Sequence, residues 1–520
     1  MDMDLVKENI ECEQLLGENF CDTVLKTEYV IPDTHPDVSE ILVLDAKPII
    51  TSKEIMQDKI FIEGQVEYNI IYLAKEEDKS SVFSVTYLGK FSNFIEVTGT
   101  EHEMQSEASC FIEHLNCGIV NERKISIEGI VKLKAEVYKN YQFEVINDIK
   151  GCEDTQMLRN PASIDRIMES TSGDLIAKCH MVISSDKPQI GTILKQDIIL
   201  NKKEVRILEG KIQIDANAHF SILYKAKDSR EVFYIEENAS VTKEIEVDNV
   251  DSSMESYTDF CVDASQFDMK EDDLGENRII DIEALIKSST KITSKKELDI
   301  IEDSYSPTVI MDMTKKDYDL NVMHGHATSQ SIIKGTIDLK PGSPKIMQIL
   351  MCTGQACVTE KRLVEDKVIV DGLLTATVMY KTYDEDKYIY AANEEIPFST
   401  TVEVPGSKID MQCMAKLGLE TLDATIEADT IAIKAVASVY ARVNYITHKE
   451  FLVDITPSEE EIPEKRSSIT IYTVQQGDSI WKIAKNYFTT TENLVKVNDL
   501  DDADIVQAGQ RLIIPGRALI

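Results

Sequence analysis

Three stretches of this chain alternate apolar and polar residues with a strict period of two. The first runs Ile60, Ile62, Gly64, Val66, Tyr68, Ile70, Tyr72, and the second Ile212, Ile214, Ala216, Ala218, Phe220, Ile222, Tyr224. The third runs Val368, Val370, Gly372, Leu374, Ala376, Val378, Tyr380. Such alternation predicts a strand with one face on a core and the other in water, roughly 40 Å long at ~3.3 Å per residue. The small third residue of each run (Gly64, Ala216, Gly372) marks an expected bend or bulge. A second alternating run closes each copy, beginning at Ile125, Ile280 and Ile431, and the triplets Ile95-Glu96-Val97, Ile245-Glu246-Val247 and Val402-Glu403-Val404 lie between.

Other landmarks keep the same register. Lys26, Lys178 and Lys334 each stand ten residues before a proline (Pro36, Pro188, Pro344), and Lys59, Lys211 and Lys367 lie 23 residues after it. The copies are offset by 152 and 156 residues, so segments 26–73, 178–225 and 334–381 align without insertion. One domain therefore occurs three times. The predicted class is mainly β, with three antiparallel, sandwich-like repeats at 1–150 (including an N-terminal extension), 165–300 and 320–450. Following the prolines come Pro-Asp-Val-Ser-Glu-Ile-Leu, Pro-Gln-Ile-Gly-Thr-Ile-Leu and Pro-Lys-Ile-Met-Gln-Ile-Leu. Their apolar spacing of three and four, with proline at the start, predicts a short helix.

The pattern changes after a polar, proline-containing linker at 456–468. In the module 469–517, Tyr472 and Val474 alternate inward on a strand, and Gly477-Asp478-Ser479 supplies a turn and N-cap. Ile480, Ile483, Ala484 and Tyr487 form a helical stripe. A second helix with Leu494 and Val497 inward ends near Asn498, and Gly509-Gln510 leads into a closing strand at Leu512-Ile513-Ile514-Pro515. The prediction is a small α+β unit of βααβ order. It holds five basic and six acidic residues, whereas the whole chain carries −37. A nearly neutral module thus follows an acidic body.

The run Tyr472-Thr-Val-Gln-Gln-Gly-Asp-Ser-Ile-Trp-Lys-Ile-Ala, with Asn498, Ile505, Gly509-Gln510 and Ile514-Pro515, resembles a LysM domain over its whole length. That resemblance implies a groove for N-acetylglucosamine polymers such as peptidoglycan, around Gly477, Asp478 and Ser479 on one side and Ile505, Val506, Gln507 and Ala508 on the other. The ungapped triple repeat resembles SPOCS domains of endospore-forming Clostridia. Three of these before one LysM resemble the SipL-type family of spore coat morphogenetic proteins. The resemblance implies a role in coat assembly in the mother cell. There the LysM module would bind a basement-layer coat ATPase of the stage IV sporulation protein A type at the forespore surface.

Composition narrows the alternatives. No apolar run approaches the ~20 residues that span a bilayer, and Met1-Asp2-Met3-Asp4-Leu5 lacks the basic start of a signal peptide, so a cytoplasmic location is expected. A cytoplasmic LysM has no access to wall glycan, which favours a protein partner. The strong negative charge argues against nucleic acid. The ten cysteines show no CxxC pair and are expected to be buried apolar residues. His324-Gly-His326 lacks an evident third ligand and is expected in an exposed loop. The column Glu63, Asp215 and Asp371 has no partner acid or histidine at a fixed offset, so a structural role is expected. With no phosphate loop, HExxH or GxSxG, no enzyme, cofactor or metal is predicted. The candidate partner-binding residues are Trp481, one position off the helical stripe, and Ile469 and Ile471, which face out from the first strand. The acidic repeats are expected to act as a spacer and assembly surface.

Overall fold

The computed structural model describes residues 4–76, 79–151, 154–460, 462, 469–500 and 506–515. Repeat one comprises β1 (Asp4–Val30), β2 (Val38–Met56), β3 (Lys59–Glu76), β4 (Lys79–Glu96), β5 (Gln105–Asn121) and β6 (Lys124–Lys150). Repeat two comprises β7 (Gln156–Val182), β8 (Ile190–Leu208), β9 (Lys211–Ala226), β10 (Val232–Glu246), β11 (Glu255–Glu271) and β12 (Asn277–Tyr305). Repeat three comprises β13 (Met311–Asp338), β14 (Ile346–Val364), β15 (Lys367–Thr382), β16 (Ile389–Glu403), β17 (Gln412–Glu427) and β18 (Thr430–Pro457). In each repeat one antiparallel sheet has the order first–sixth–fifth strand and the other second–third–fourth. The two sheets pack as a sandwich. In repeat one, Ile60, Ile62, Val66, Tyr68, Ile70 and Tyr72 of β3 meet Ile125, Ile127, Val131 and Leu133 of β6 in one core. The alternation read from the sequence is the inward face of the central strand in each sheet.

The expected helix after each proline is absent: these residues form a turn and then enter β2, β8 and β14. The spacing of three and four has another cause. Each strand carries two bulges at this point, between Val38/Glu40 and Ile41/Val43, Ile190/Thr192 and Ile193/Lys195, and Ile346/Gln348 and Ile349/Met351. A bulge inserts one residue against the partner strand and shifts the inward phase, so a twice-bulged strand shows helix-like spacing. The prolines have a partner of their own. Tyr72, Tyr224 and Tyr380 donate their hydroxyls to the carbonyls of Pro36, Pro188 and Pro344, at 3.2, 3.1 and 3.4 Å.

The small third residue does mark an irregularity, located on the neighbouring strand. Register shifts fall at Ile50/Ser52, Asn201/Glu204 and Val358/Glu360, opposite the small residues. On the other side, Gly64 pairs with Phe91, Gly372 with Phe398, and Ala216 with Val241. A Cβ on Gly64 would lie 2.2 Å from the Phe91 ring, and one on Gly372 2.4 Å from Phe398. The phenylalanines fill the space a side chain would occupy, and where the chain has alanine the facing residue shrinks to valine.

The repeats close into a ring in which each touches the other two. The outer strands run past the sandwiches, so the repeats extend beyond the expected 165–300 and 320–450, and β18 takes in the first two residues of the expected linker. The antiparallel strand pairs β1–β6, β7–β12 and β13–β18 form a three-sided stalk. Its axis is filled by Ile10, Val145, Ile164, Ile300, Leu320 and Phe451, with a further apolar layer of Ile146, Ile149, Ile301, Met311, Leu452 and Ile455. Phe143, Tyr318 and Phe451 stack there, with centroids 4.3 to 5.7 Å apart. At the opposite end Val43, Ile71, Leu223, Val232, Met351 and Met379 join the three remaining sheets. Ion pairs cross every seam: Lys291–Glu13 at 3.1 Å, Lys416–Asp259 at 2.8 Å and Lys361–Glu18 at 2.6 Å.

Candidate functional site

The C-terminal module has the predicted order: β19 (Ile469–Thr473), α1 (Ile480–Asn486), α2 (Thr491–Val497) and β20 (Arg511–Pro515). Ser479 caps α1 by accepting the Lys482 amide at 3.2 Å, and Thr490 caps α2 through the Asn493 amide. Val474, Ile480, Ile483, Ala484, Leu494, Leu512 and Ile514 form the core. Val497 does not join them; it faces out. Asn498 joins α2 to β20, donating to the Leu494 and Ile513 carbonyls at 2.8 and 2.7 Å and accepting the Ile513 amide at 2.6 Å. This double contact is a physical reason for asparagine at that point of the motif.

The two turns that frame the expected groove are neighbours. Val474 exchanges backbone hydrogen bonds with Gln510 and Gly509, both at 2.8 Å. Gly477 adopts φ +91°, in the left-handed region that suits glycine, with nothing within 4 Å of where its Cβ would be. The Asp478 carboxylate accepts from Tyr472 Oη at 2.7 Å and from the Gln475 amide at 2.8 Å. The Tyr472 hydroxyl, first among these, holds that carboxyl below its usual range. Gln507 and Ala508 are exposed and Val506 is half-buried, while Ile505 lies outside the described residues. Of the described groove residues, Gly477, Gln507 and Ala508 are open to solvent, and Asp478, Ser479 and Val506 are half-buried.

Trp481, Ile469 and Ile471 do not form one surface. Ile469 and Ile471 point outward from β19 and are 63% and 67% exposed. Ile471 pairs with Ile513 of β20, 41% exposed, so the open face of the two-stranded sheet carries three isoleucines. The helices cover its other face. Trp481, on α1, instead packs against repeat two. Its indole Nε1 donates to Asp303 Oδ2 at 2.8 Å, and its ring meets Tyr305 edge-on at 4.9 Å. Lys485 reaches the other Asp303 oxygen at 2.6 Å. Tyr305, almost wholly buried in the module's core, donates to the Thr489 carbonyl at 2.9 Å. Burial, aided by Asp303, pushes its hydroxyl pKa up. Asp303 and Tyr305 end β12 in a polar run, Glu302-Asp303-Ser304-Tyr305, and no periodicity distinguished them as a seat.

The remaining candidates are structural. Asp371 pairs with Arg362 at 2.7 Å, and Asp215 accepts from Thr242 Oγ1 at 2.6 Å. His324 and His326 lie in β13 rather than a loop. A register shift at Met323/Gly325 separates them: His324 Nε2 contacts the Pro405 carbonyl at 2.9 Å and His326 lies 3.5 Å from Glu255. Cys12 and Cys179 are buried as expected, but Cys261 is exposed and the other described cysteines are half-buried. Burial pushes the Cys12 thiol up to about 11, away from thiolate chemistry.

Comparison with known proteins assigns both kinds of domain. The family model described as SipL, SPOCS domain, matches residues 37–120, 189–270 and 345–427, and the LysM domain matches 472–515. The chain belongs to the SipL type. Each SPOCS match spans the second to fifth strands of one repeat, and the stalk strands lie outside it. SPOCS and LysM are binding and scaffold modules, not catalytic ones, and the SipL family is associated with the spore coat. An uncharacterized protein of Deinococcus radiodurans is 42% identical over 50 residues, 9% of this chain. This chain spans only a fifth of that relative's length. No solved structure matches. Among the described residues no helix is long and apolar enough to cross a membrane.

Proposed function

We propose that this SipL-type chain is a non-enzymatic adaptor of spore coat assembly in the mother cell. Its LysM module docks onto the basement-layer coat ATPase of the stage IV sporulation protein A type at the forespore surface. The observation that carries this reading is the open sheet face of Ile469, Ile471 and Ile513, solvent-exposed on a module otherwise tied to the body. Contiguous exposed aliphatic residues favour a protein partner. Trp481 becomes available to a partner only if α1 lifts from Asp303 and Tyr305. Co-precipitation of the full chain with the ATPase tests the reading. Ile471→Lys, alone and with Ile469→Lys, is expected to abolish recovery; undiminished recovery with the double variant rules the face out.

A glycan reading is favoured by the LysM match and by the open turns at Gly477–Ser479 and Val506–Ala508. Co-sedimentation with peptidoglycan separates the two. A glycan-binding module sediments with it, and the isoleucine substitutions leave that unchanged.

A further inference from the structure

We propose that a chamber lined by the three repeats binds a small zwitterion, a free amino acid, with its carboxylate on Arg442 and its ammonium group on Asp165. The chamber measures about 320 Å³ and is lined by all three repeats, where the stalk meets the sandwiches. This volume suits a small metabolite.

The lining carries charged residues where packing alone would favour apolar ones. At one strand position the three copies place Glu136, Lys291 and Arg442, and at another Glu13, Asp165 and Asn321. Farther along the same strands the equivalent residues are Val145, Ile300 and Phe451, and the axis closes as a dry core. The polar groups differ in how far they are satisfied. On one wall Lys291 pairs with Glu13 at 3.1 Å and Glu107 at 3.0 Å, and Glu136 accepts from Tyr138 Oη at 2.6 Å and from Lys134.

On the facing wall Arg442 donates only its Nε, to Asn444 Oδ1 at 3.0 Å; its terminal nitrogens make no hydrogen bond or ion pair among the described residues. The buried Oδ1 of Asn321 has no partner there either. Asp165 is only 8% exposed and accepts the Met323 amide. Burial raises its pKa, outweighing the opposite pull of the Met323 amide, Arg442 and Lys295, and no cation is paired directly with it among the described residues. A free guanidinium fork matches a carboxylate in two parallel hydrogen bonds. Asp165 and the Asn321 oxygen are acceptors suited to an ammonium group. An α-amino acid carries both groups on one carbon.

Isothermal titration of the full chain with each of the twenty free amino acids tests this, with acetate and methylammonium as the separate halves. At least one amino acid is expected to bind one to one, tenfold or more tightly than either half. Arg442→Gln and Asp165→Asn should each weaken it at least tenfold, while Arg362→Gln, at the surface pair with Asp371, leaves it unchanged. Circular dichroism identifies any variant that fails to fold, and the other then decides. The proposal fails if no amino acid saturates the chain, if acetate binds as tightly, or if both folded chamber variants bind like the parent.

Discussion

Along the stalk, where repeat meets repeat, the contact is an apolar core: Ile10, Ile164, Leu320 and Phe451 come from three different copies and are all nearly inaccessible. Where the LysM module meets repeat two, the contact rests on a carboxylate, an indole N–H, an ammonium group and one tyrosine. Burying a few large apolar side chains contributes several kcal/mol, at ~1.5–3 kcal/mol each. The polar contacts at the module contribute less, because each replaces a hydrogen bond to water, and the buried Tyr305 ring is the one large apolar contribution there. The repeats therefore form one cooperative body, and the module is an attachment held by fewer contacts, with Tyr305 of repeat two completing its core.

The largest test of that contrast is Phe451→Ala. Truncating a buried ring packed against Phe143 and Tyr318 should cost about 3–5 kcal/mol. Calorimetry should show a single body transition moving to lower temperature; if one transition out of three moves, the repeats are independent. Gly64→Ala comes next, at about 1–3 kcal/mol, because the added methyl meets the Phe91 ring. Adding Phe91→Val should restore part of that loss, since repeat two uses the Ala216–Val241 pair while the Ile49 carbonyl stays 2.6 Å from the added methyl, and a double-mutant cycle in urea measures the coupling.

The attachment should respond more modestly. Asp303→Ala removes the acceptor of Trp481 and Lys485 and should weaken docking by roughly 2 kcal/mol. Trp481 is the sole tryptophan, so its emission should shift to the red; an unchanged spectrum would mean the ring's surroundings come from its own module. The smallest effect on stability belongs to Ile471→Lys. At an exposed site it should leave the urea midpoint within about 0.5 kcal/mol of the parent while partner recovery is lost.

Much of the fold was legible along the chain, since alternation over a dozen residues exposes the inward face of β3, β9 and β15 directly. The post-proline helix was misread for a definite reason: two bulges in a strand and one helical face yield the same apolar spacing, and only the partner strand separates them. The candidate site divided similarly. Ile469 and Ile471 were placed outward by their phase on one strand, which is local information. Trp481 was expected only partly covered and available to a partner, because nothing along the sequence links it to Asp303, 178 residues away.

Local periodicity, the repeat offsets and the LysM motif determined by themselves that this chain has three copies of one β domain and a βααβ module. Those signals arise from each residue's relation to its own strand or helix. Only the tertiary structure decided that the copies close around a shared axis, that a polar chamber interrupts the dry core, and that the module's tryptophan faces the body. Each of these depends on side chains from different copies meeting across the axis or seam, and such encounters leave no period in the sequence of any one copy.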